Sequence, residues 1–165
     1  MPSISPWSRA HSGCAWKMAD RPVDAGRSAT VRFSIPFCDV DAMQVVWHGN
    51  YFKYFDIARD RLFSDAGVDL YRTMEDGGLV FPITRTQTKH IRPLRFRDDV
   101  ECKATLVEAE CRIVVDFEIR LAGSGAICAR GRTEQAAVRL ADGTLELRLP
   151  ESFRRALGSS TGDGG

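Results

Sequence analysis

No Cys-x-x-Cys pair occurs among the five cysteines, Cys14, Cys38, Cys102, Cys111 and Cys128. Their spacing fits no zinc site and their odd number fits no disulfide framework, so reduced thiols in a cytoplasmic protein are the expectation. Neither sign of charge dominates. The 23 basic and 22 acidic residues leave +1, a balance that does not point to nucleic acid or an anionic membrane surface. No apolar run approaches the ~20 residues that span a bilayer, and the N-terminus lacks the apolar core of a secretory signal. Gly-x-Gly-x-x-Gly, P-loop and His-Glu-x-x-His patterns are missing. No Ser-His-Asp or Cys-His arrangement is visible around Ser34, Cys38 or Cys102.

What is present suits one soluble domain. The 165 residues are 44% hydrophobic and 27% charged, enough for a single real core. Residues 1–28 mix Pro, Ser, Gly and charge without a period, so a disordered extension is expected there. Met18 reads as a natural start, which would make residues 1–17 an upstream extension that the fold does not need. Residues 29–157 are the expected folded domain, and 158–165 a flexible tail.

Within that domain, "VRFSIPF" (31–37) alternates strictly, with Val31, Phe33, Ile35 and Phe37 on one face of a half-buried strand. From about Gly49 to Ala66 the period becomes helical, with Tyr51, Phe55, Ala58 and Leu62 in line and Phe52, Ile57 and Phe63 widening the stripe. A helix apolar over most of its circumference is expected in the middle of a fold. "VDLYRTMEDGG" (68–78) reads as a short second helix. Strand patterns follow over 79–91, 99–110, 112–122 and 126–140, and 150–157 reads as a last short helix. Strand, long apolar helix, then a run of antiparallel strands is an α+β plan, with a curved sheet wrapped around the helix. The exposed sheet edge calls for a cover, and a second subunit is the obvious one.

The loop between first strand and helix, "CDVDAMQVVWHGN", carries the chemistry. A helix start offers unsatisfied backbone N–H groups and a positive dipole end, which can hold an oxyanion. A carboxylate opposite them can act as a base on water or as a nucleophile. Asp39 and Asp41 are both candidates, and each could instead cap a turn. Their Asp-x-Asp spacing lacks the third carboxylate that a divalent metal would want. His48 could be a cap or a core residue, and Asn50 suits pinning the loop to the helix. Asp56, Arg59 and Asp60 are spaced for pairing along the helix. Arg85, Lys89, Arg92, Arg95 and Arg97 form a basic set that is either solvated or meets phosphates.

These residues resemble a known family. "FCDVDAMQVVWHGNYFKYFDIARDRLF" is similar to the first motif of the 4-hydroxybenzoyl-CoA thioesterase-like hotdog proteins: Asp39, Asp41, Val45, Val46, Trp47, His48, Asn50 and Tyr51, then Tyr54, Phe55, Asp56, Ala58 and Arg59. "KHIRPLRFRDDVECKATLVE" (89–108) resembles the family's central strands and their Pro-containing bend. The resemblance spans about residues 30–150 and implies a hotdog fold, a long helix wrapped by a curved antiparallel sheet. It implies an acyl-CoA thioesterase with no cofactor or metal, coenzyme A being part of the substrate. It implies a homo-oligomer, a dimer or a dimer-of-dimers tetramer, with active sites at the dimer interface. Asp41 takes the place of the catalytic aspartate. His48 matches a catalytic position whose backbone N–H polarises the thioester carbonyl, with Val46, Trp47, Gly49 and Asn50 around the substrate and oxyanion. Arg92, Arg95 and Arg97 are the expected contacts of the CoA phosphates. Rival readings are a thioesterase for acyl groups on a carrier protein and a non-catalytic acyl-CoA-binding module. Ala42-Met43-Gln44 departs from the small residues and Gly usual after the catalytic Asp, so these bulkier side chains are expected to reshape the acyl pocket.

Overall fold

The computed structural model describes residues 27–158. The expected extension lies outside them except for its last two residues, and so does the tail beyond Gly158. Strand β1 (Ser28–Ser34) leads into a 3₁₀ turn (Phe37–Asp39) and helix α1 (Asn50–Asp65). Helix α2 (Leu70–Gly77) and strands β2 (Leu79–Val80), β3 (Ile83–His90), β4 (Asp99–Ala109), β5 (Ile113–Leu121) and β6 (Ile127–Gln135) follow. The chain ends with β7 (Ala137–Arg139), β8 (Leu145–Glu146) and α3 (Glu151–Gly158). Five strands make one antiparallel sheet in the order β1-β4-β5-β6-β3, and β2-β7-β8 make a small second one. With α1 lying across the main sheet, this is the expected α+β hotdog fold.

The strand alternation explains the packing. Val100, Cys102, Ala104 and Leu106 of β4 are buried, as are Ile113, Val115, Phe117 and Ile119 of β5. Against them α1 buries Tyr51, Tyr54, Phe55, Ala58, Leu62 and Phe63. The Phe55 ring stacks on Phe117 with centroids 4.6 Å apart. It lies so close to Gly131 of β6 that a Cβ there would sit 2.4 Å from the ring. Each large side chain buried this way contributes about 1.5–3 kcal/mol. Asp69 caps α2, its carboxylate accepting the Tyr71 and Arg72 N–H groups at 2.9 and 3.1 Å, and the left-handed Gly78 ends it.

Three expectations need correction. The first strand begins at Ser28 and stops at Ser34, so Phe37 sits in the 3₁₀ turn, 75% exposed instead of buried. Pro36 has no N–H to give a ladder. The single strand expected over 79–91 is broken at Phe81-Pro82 for the same reason. Helix α1 is not enclosed all round, because the sheet covers one side and leaves Phe52 and Ile57 exposed.

On its solvent face the sheet carries cross-strand ion pairs, among them Asp116–Arg132, Glu118–Arg130 and Glu134–Arg112. Such pairs contribute little each, but they occupy most of the arginines of the sheet.

Candidate active site

The loop from Val40 to Gly49 is a tight hairpin closed by a bridge between Val40 and Val46. Its tip is a turn in which the Gln44 N–H donates to the Asp41 carbonyl at 2.9 Å and the Asp41 N–H to the Val45 carbonyl at 2.9 Å. Gln44 has φ 61°, a left-handed conformation that favours glycine. Met43 is 75% exposed, so within one chain it fills no pocket. The expected reshaping of an acyl pocket by Met43 does not occur inside a single subunit.

The two aspartates of this loop have different surroundings. Asp39 is buried at 3% exposure. Its carboxylate accepts the Tyr54 hydroxyl at 2.7 Å and the Lys53 ammonium. Burial alone would raise its pKa, but the hydrogen bonds from Lys53 and Tyr54 and the Lys53 charge outweigh that and hold it below the usual carboxylate value. The same pairing pushes the Tyr54 hydroxyl, already raised by burial, far above its ordinary value. The Asp39 carbonyl accepts the Trp47 N–H at 2.9 Å and the Asn50 amide at 3.0 Å. Asp39 is therefore the rivet between loop and helix, and Asn50 pins the loop to it.

Asp41 is half-buried and accepts one hydrogen bond, from the Met43 N–H at 2.8 Å. No cation faces it among the described residues, and its second oxygen has no partner there.

The helix start sorts its own donors. The N–H groups of Asn50, Tyr51 and Phe52 turn back onto the carbonyls of Trp47, His48 and Gly49 at 2.9, 3.4 and 3.4 Å. Trp47 donates to Asp39, and Val46 to Leu94 at 2.8 Å. The N–H groups of His48 and Gly49 donate to nothing among the described residues. The N–H groups of Val46, Trp47 and Asn50 are thus committed within the chain, which leaves those of His48 and Gly49 open among the described residues. The Trp47 indole, half-exposed, lies on Gly49, where a Cβ would come within 2.1 Å of it. His48 packs beside the indole, ring centroids 5.0 Å apart.

One neighbour escaped the sequence reading. His90, at the end of β3, meets the Tyr51 ring edge-on, centroids 4.5 Å apart. It is near enough to His48 for the two charges to interact, and burial first and His48 second lower its pKa. The available signal was register: β3 pairs Thr88 with Gly131, the residue under Phe55, so Thr86, Thr88 and His90 share the helix-facing side.

The basic set divides. Arg85 reaches Glu134 at 3.8 Å. Arg92, Arg95 and Arg97 form no ion pair among the described residues, and Arg97 lies over the Phe96 ring, 4.9 Å from its centroid. No three His, Cys, Asp or Glu side chains gather as a metal set among the described residues. Asp56 pairs with Arg59 at 2.6 Å. An open cleft of about 660 Å³ runs along the C-terminal half of α1 between these residues, Phe63 and Tyr71. Asp41, His48 and Gly49 do not line it.

Comparisons place these features among known proteins. A 1,4-dihydroxy-2-naphthoyl-CoA hydrolase from Thermosynechococcus vestitus is 33% identical over 61 residues, 37% of this chain and 42% of that protein. The chain spans about half the length of the curated relatives it matches. A 1,4-dihydroxy-2-naphthoyl-CoA thioesterase from Synechocystis superposes with TM-score 0.74 at 20% identity, covering 81% of this chain and 97% of that one. A variant of 4-hydroxybenzoyl CoA thioesterase complexed with 4-hydroxybenzoyl CoA superposes with TM-score 0.71 at 19% identity, covering 79% and 99%. At these identities the two structures show the fold. The model of one family, described as the thioesterase-like superfamily, matches residues 35–157. With most of its length inside that match, the chain belongs to the thioesterase-like superfamily.

Proposed function

We propose that the protein is an acyl-CoA thioesterase that hydrolyses a thioester to a carboxylic acid and coenzyme A. The observation that carries this is the pairing of a carboxylate with a spare oxygen, Asp41, and two unspent backbone donors, His48 and Gly49, on one loop. The thioester oxygen rests on the two N–H groups. Asp41 takes the proton of a water that attacks the carbonyl carbon, or attacks it directly and is released by water in a second step. Charge that develops on oxygen is met by dipoles already in place. The C–S bond then breaks, and the coenzyme A thiolate leaves and is protonated. Every step uses groups of the chain and water, without a cofactor.

Arg92, Arg95 and Arg97, without an ion pair among the described residues, suit the phosphorylated nucleotide of the CoA moiety. The outer edge of β3 and the bare Phe52 and Ile57 of α1 support a homo-oligomer, a dimer or a pair of dimers, in which a second subunit covers them. No helix among the described residues is long and apolar enough to cross a membrane. The four described cysteines are all free, which supports a cytoplasmic setting.

The test is release of free thiol from aliphatic and aromatic acyl-CoAs, beginning with aromatic ones because of the hydrolase named above. Asp41→Asn keeps an oxygen for the Met43 N–H, so it should lower kcat by about 10²–10⁴-fold with an unchanged melting temperature. Turnover near wild type in that variant would remove Asp41 from the mechanism. Faster release from an acyl carrier protein than from CoA would move the assignment to that substrate class. No release from any thioester would leave a binding module.

A further inference from the structure

The loop that follows β3 carries a feature that the proposed chemistry does not use. Phe37, 75% exposed, and Phe96, 43% exposed, meet edge to face with centroids 5.6 Å apart. The Arg97 guanidinium lies over the Phe96 ring. Arg97 has φ 69°, in the left-handed region that favours glycine. Its N–H is tied to the Ile35 carbonyl at 3.0 Å, and the Asp98 carboxylate accepts the Arg95 N–H at 2.7 Å. A glycine would hold this turn with less strain, yet the position carries a guanidinium set against an aromatic ring. Strain retained at an exposed turn points to a use for the side chain. The same segment is fastened to the catalytic loop, because the Leu94 carbonyl accepts the Val46 N–H at 2.8 Å.

We propose that Phe37, Phe96 and Arg97 form a stacking platform for the adenine ring of coenzyme A, with Arg92 and Arg95 beside it for the phosphates. This rests on the acyl-CoA reading above. A purine offers a flat face to an aromatic ring and to a guanidinium. Three guanidiniums without ion pairs among the described residues suit an occupant that brings several negative charges. A second copy of this chain would bring the same positive patch and would have to supply carboxylates to bury it.

Two measurements test the platform. The first compares kcat/KM for one acyl group carried on CoA and on pantetheine, which lacks the nucleotide. Stacking on an aromatic side chain is worth about 1–3 kcal/mol per base, so Phe96→Ala should lower the CoA-to-pantetheine ratio about tenfold, and Phe37→Ala should do likewise. Arg97→Gly should lower the same ratio while raising the melting temperature, since it removes the strain together with the guanidinium. An unchanged ratio in all three variants would overturn the platform. The second is calorimetric binding of adenosine 3′,5′-bisphosphate, which needs no turnover. Binding to the wild type that is lost in Phe37→Ala supports the platform even if no thioester is hydrolysed, whereas failure of the thioesterase reading alone would leave it intact. A fall in oligomer mass in Phe37→Ala, with nucleotide binding retained, would give the patch to a second copy and overturn the proposal.

Discussion

Replacing Asp39 by Asn separates structural from chemical carboxylates. The side chain is almost fully buried and accepts hydrogen bonds from Tyr54, itself 1% exposed, and from Lys53. A hydrogen bond to a charged group is worth about 1.5–3 kcal/mol and a neutral one about 0.5–1.5. Lys53 is 48% exposed, so its share is screened to about 0–1 kcal/mol. Asn keeps one oxygen for the Tyr54 hydroxyl as a neutral bond and turns an amide donor toward an ammonium. The net loss is about 2 kcal/mol, or roughly 6–10 °C in melting temperature for a domain of this size. Asp39→Ala also strands the buried Tyr54 hydroxyl and should cost about 3–5 kcal/mol. The pH dependence gives a second reading. The folded pKa of Asp39 is held low, so its stabilisation is present above the unfolded value of about 3.9 and is lost as pH falls through the folded one. Thermal melts followed by circular dichroism at pH 7 and pH 3, at one protomer concentration, should show a large gap between wild type and Asp39→Asn that narrows in acid. A drop below about 1 °C at pH 7, or a gap of equal size at both pH values, would refute the reasoning. Well below its melting temperature, Asp39→Asn should lose far less kcat than Asp41→Asn, and an equal loss would mean that both carboxylates act.

Further expectations concern single positions. Gly131→Ala drives a Cβ into Phe55, which is held by its stack on Phe117. It should cost about 1–3 kcal/mol, seen as a lower denaturant midpoint with an unchanged slope. Gly49→Ala pushes the Trp47 indole off the loop without backbone strain, since its φ is −65°. It keeps the residue 49 N–H but unseats the indole beside it, so it should lower kcat with little change in melting temperature, and unimpaired turnover would show that the seat of Trp47 does not matter to the site. The folded pKa of His90 is lowered, so protonation favours the unfolded chain, and the wild type should lose stability as pH falls below about 6.5. His90→Gln should flatten that slope between pH 7 and 5, and an identical slope would place the titration elsewhere.

The parts of the fold that the sequence made legible share one property: their period is set by a continuous buried face. Every second residue is buried from Val100 to Leu106 of β4 and from Ile113 to Ile119 of β5, and α1 begins within a residue of its expected start. Phe37 continues the strand's alternation in sequence, but the chain leaves the sheet at Pro36. Phe81-Pro82 breaks an otherwise continuous strand pattern in the same way. At the site, the spacing of Asp39 and Asp41 could not tell them apart. What distinguishes them is the first turn of α1, which brings Lys53 and Tyr54 down onto one carboxylate and nothing onto the other. The donors followed the same logic. Five N–H groups near the helix start look alike in sequence, and the three committed elsewhere are known only once the hairpin and Leu94 are in place. His90 is visible as a neighbour of His48 only when β3 is laid beside α1.

The contact between Trp47 and Gly49 has a practical side. The other two tryptophans, Trp7 and Trp16, fall within residues 1–17. A chain begun at Met18 would hold a single indole, half in water and resting on Gly49, whose N–H is one of the two proposed donors to the thioester oxygen. Its fluorescence would then come from one place, beside the His48 imidazole. Arrival of an acyl group at the two donors would change the polarity that this fluorophore senses, and occupancy could be followed by emission in real time, without a label and without turnover.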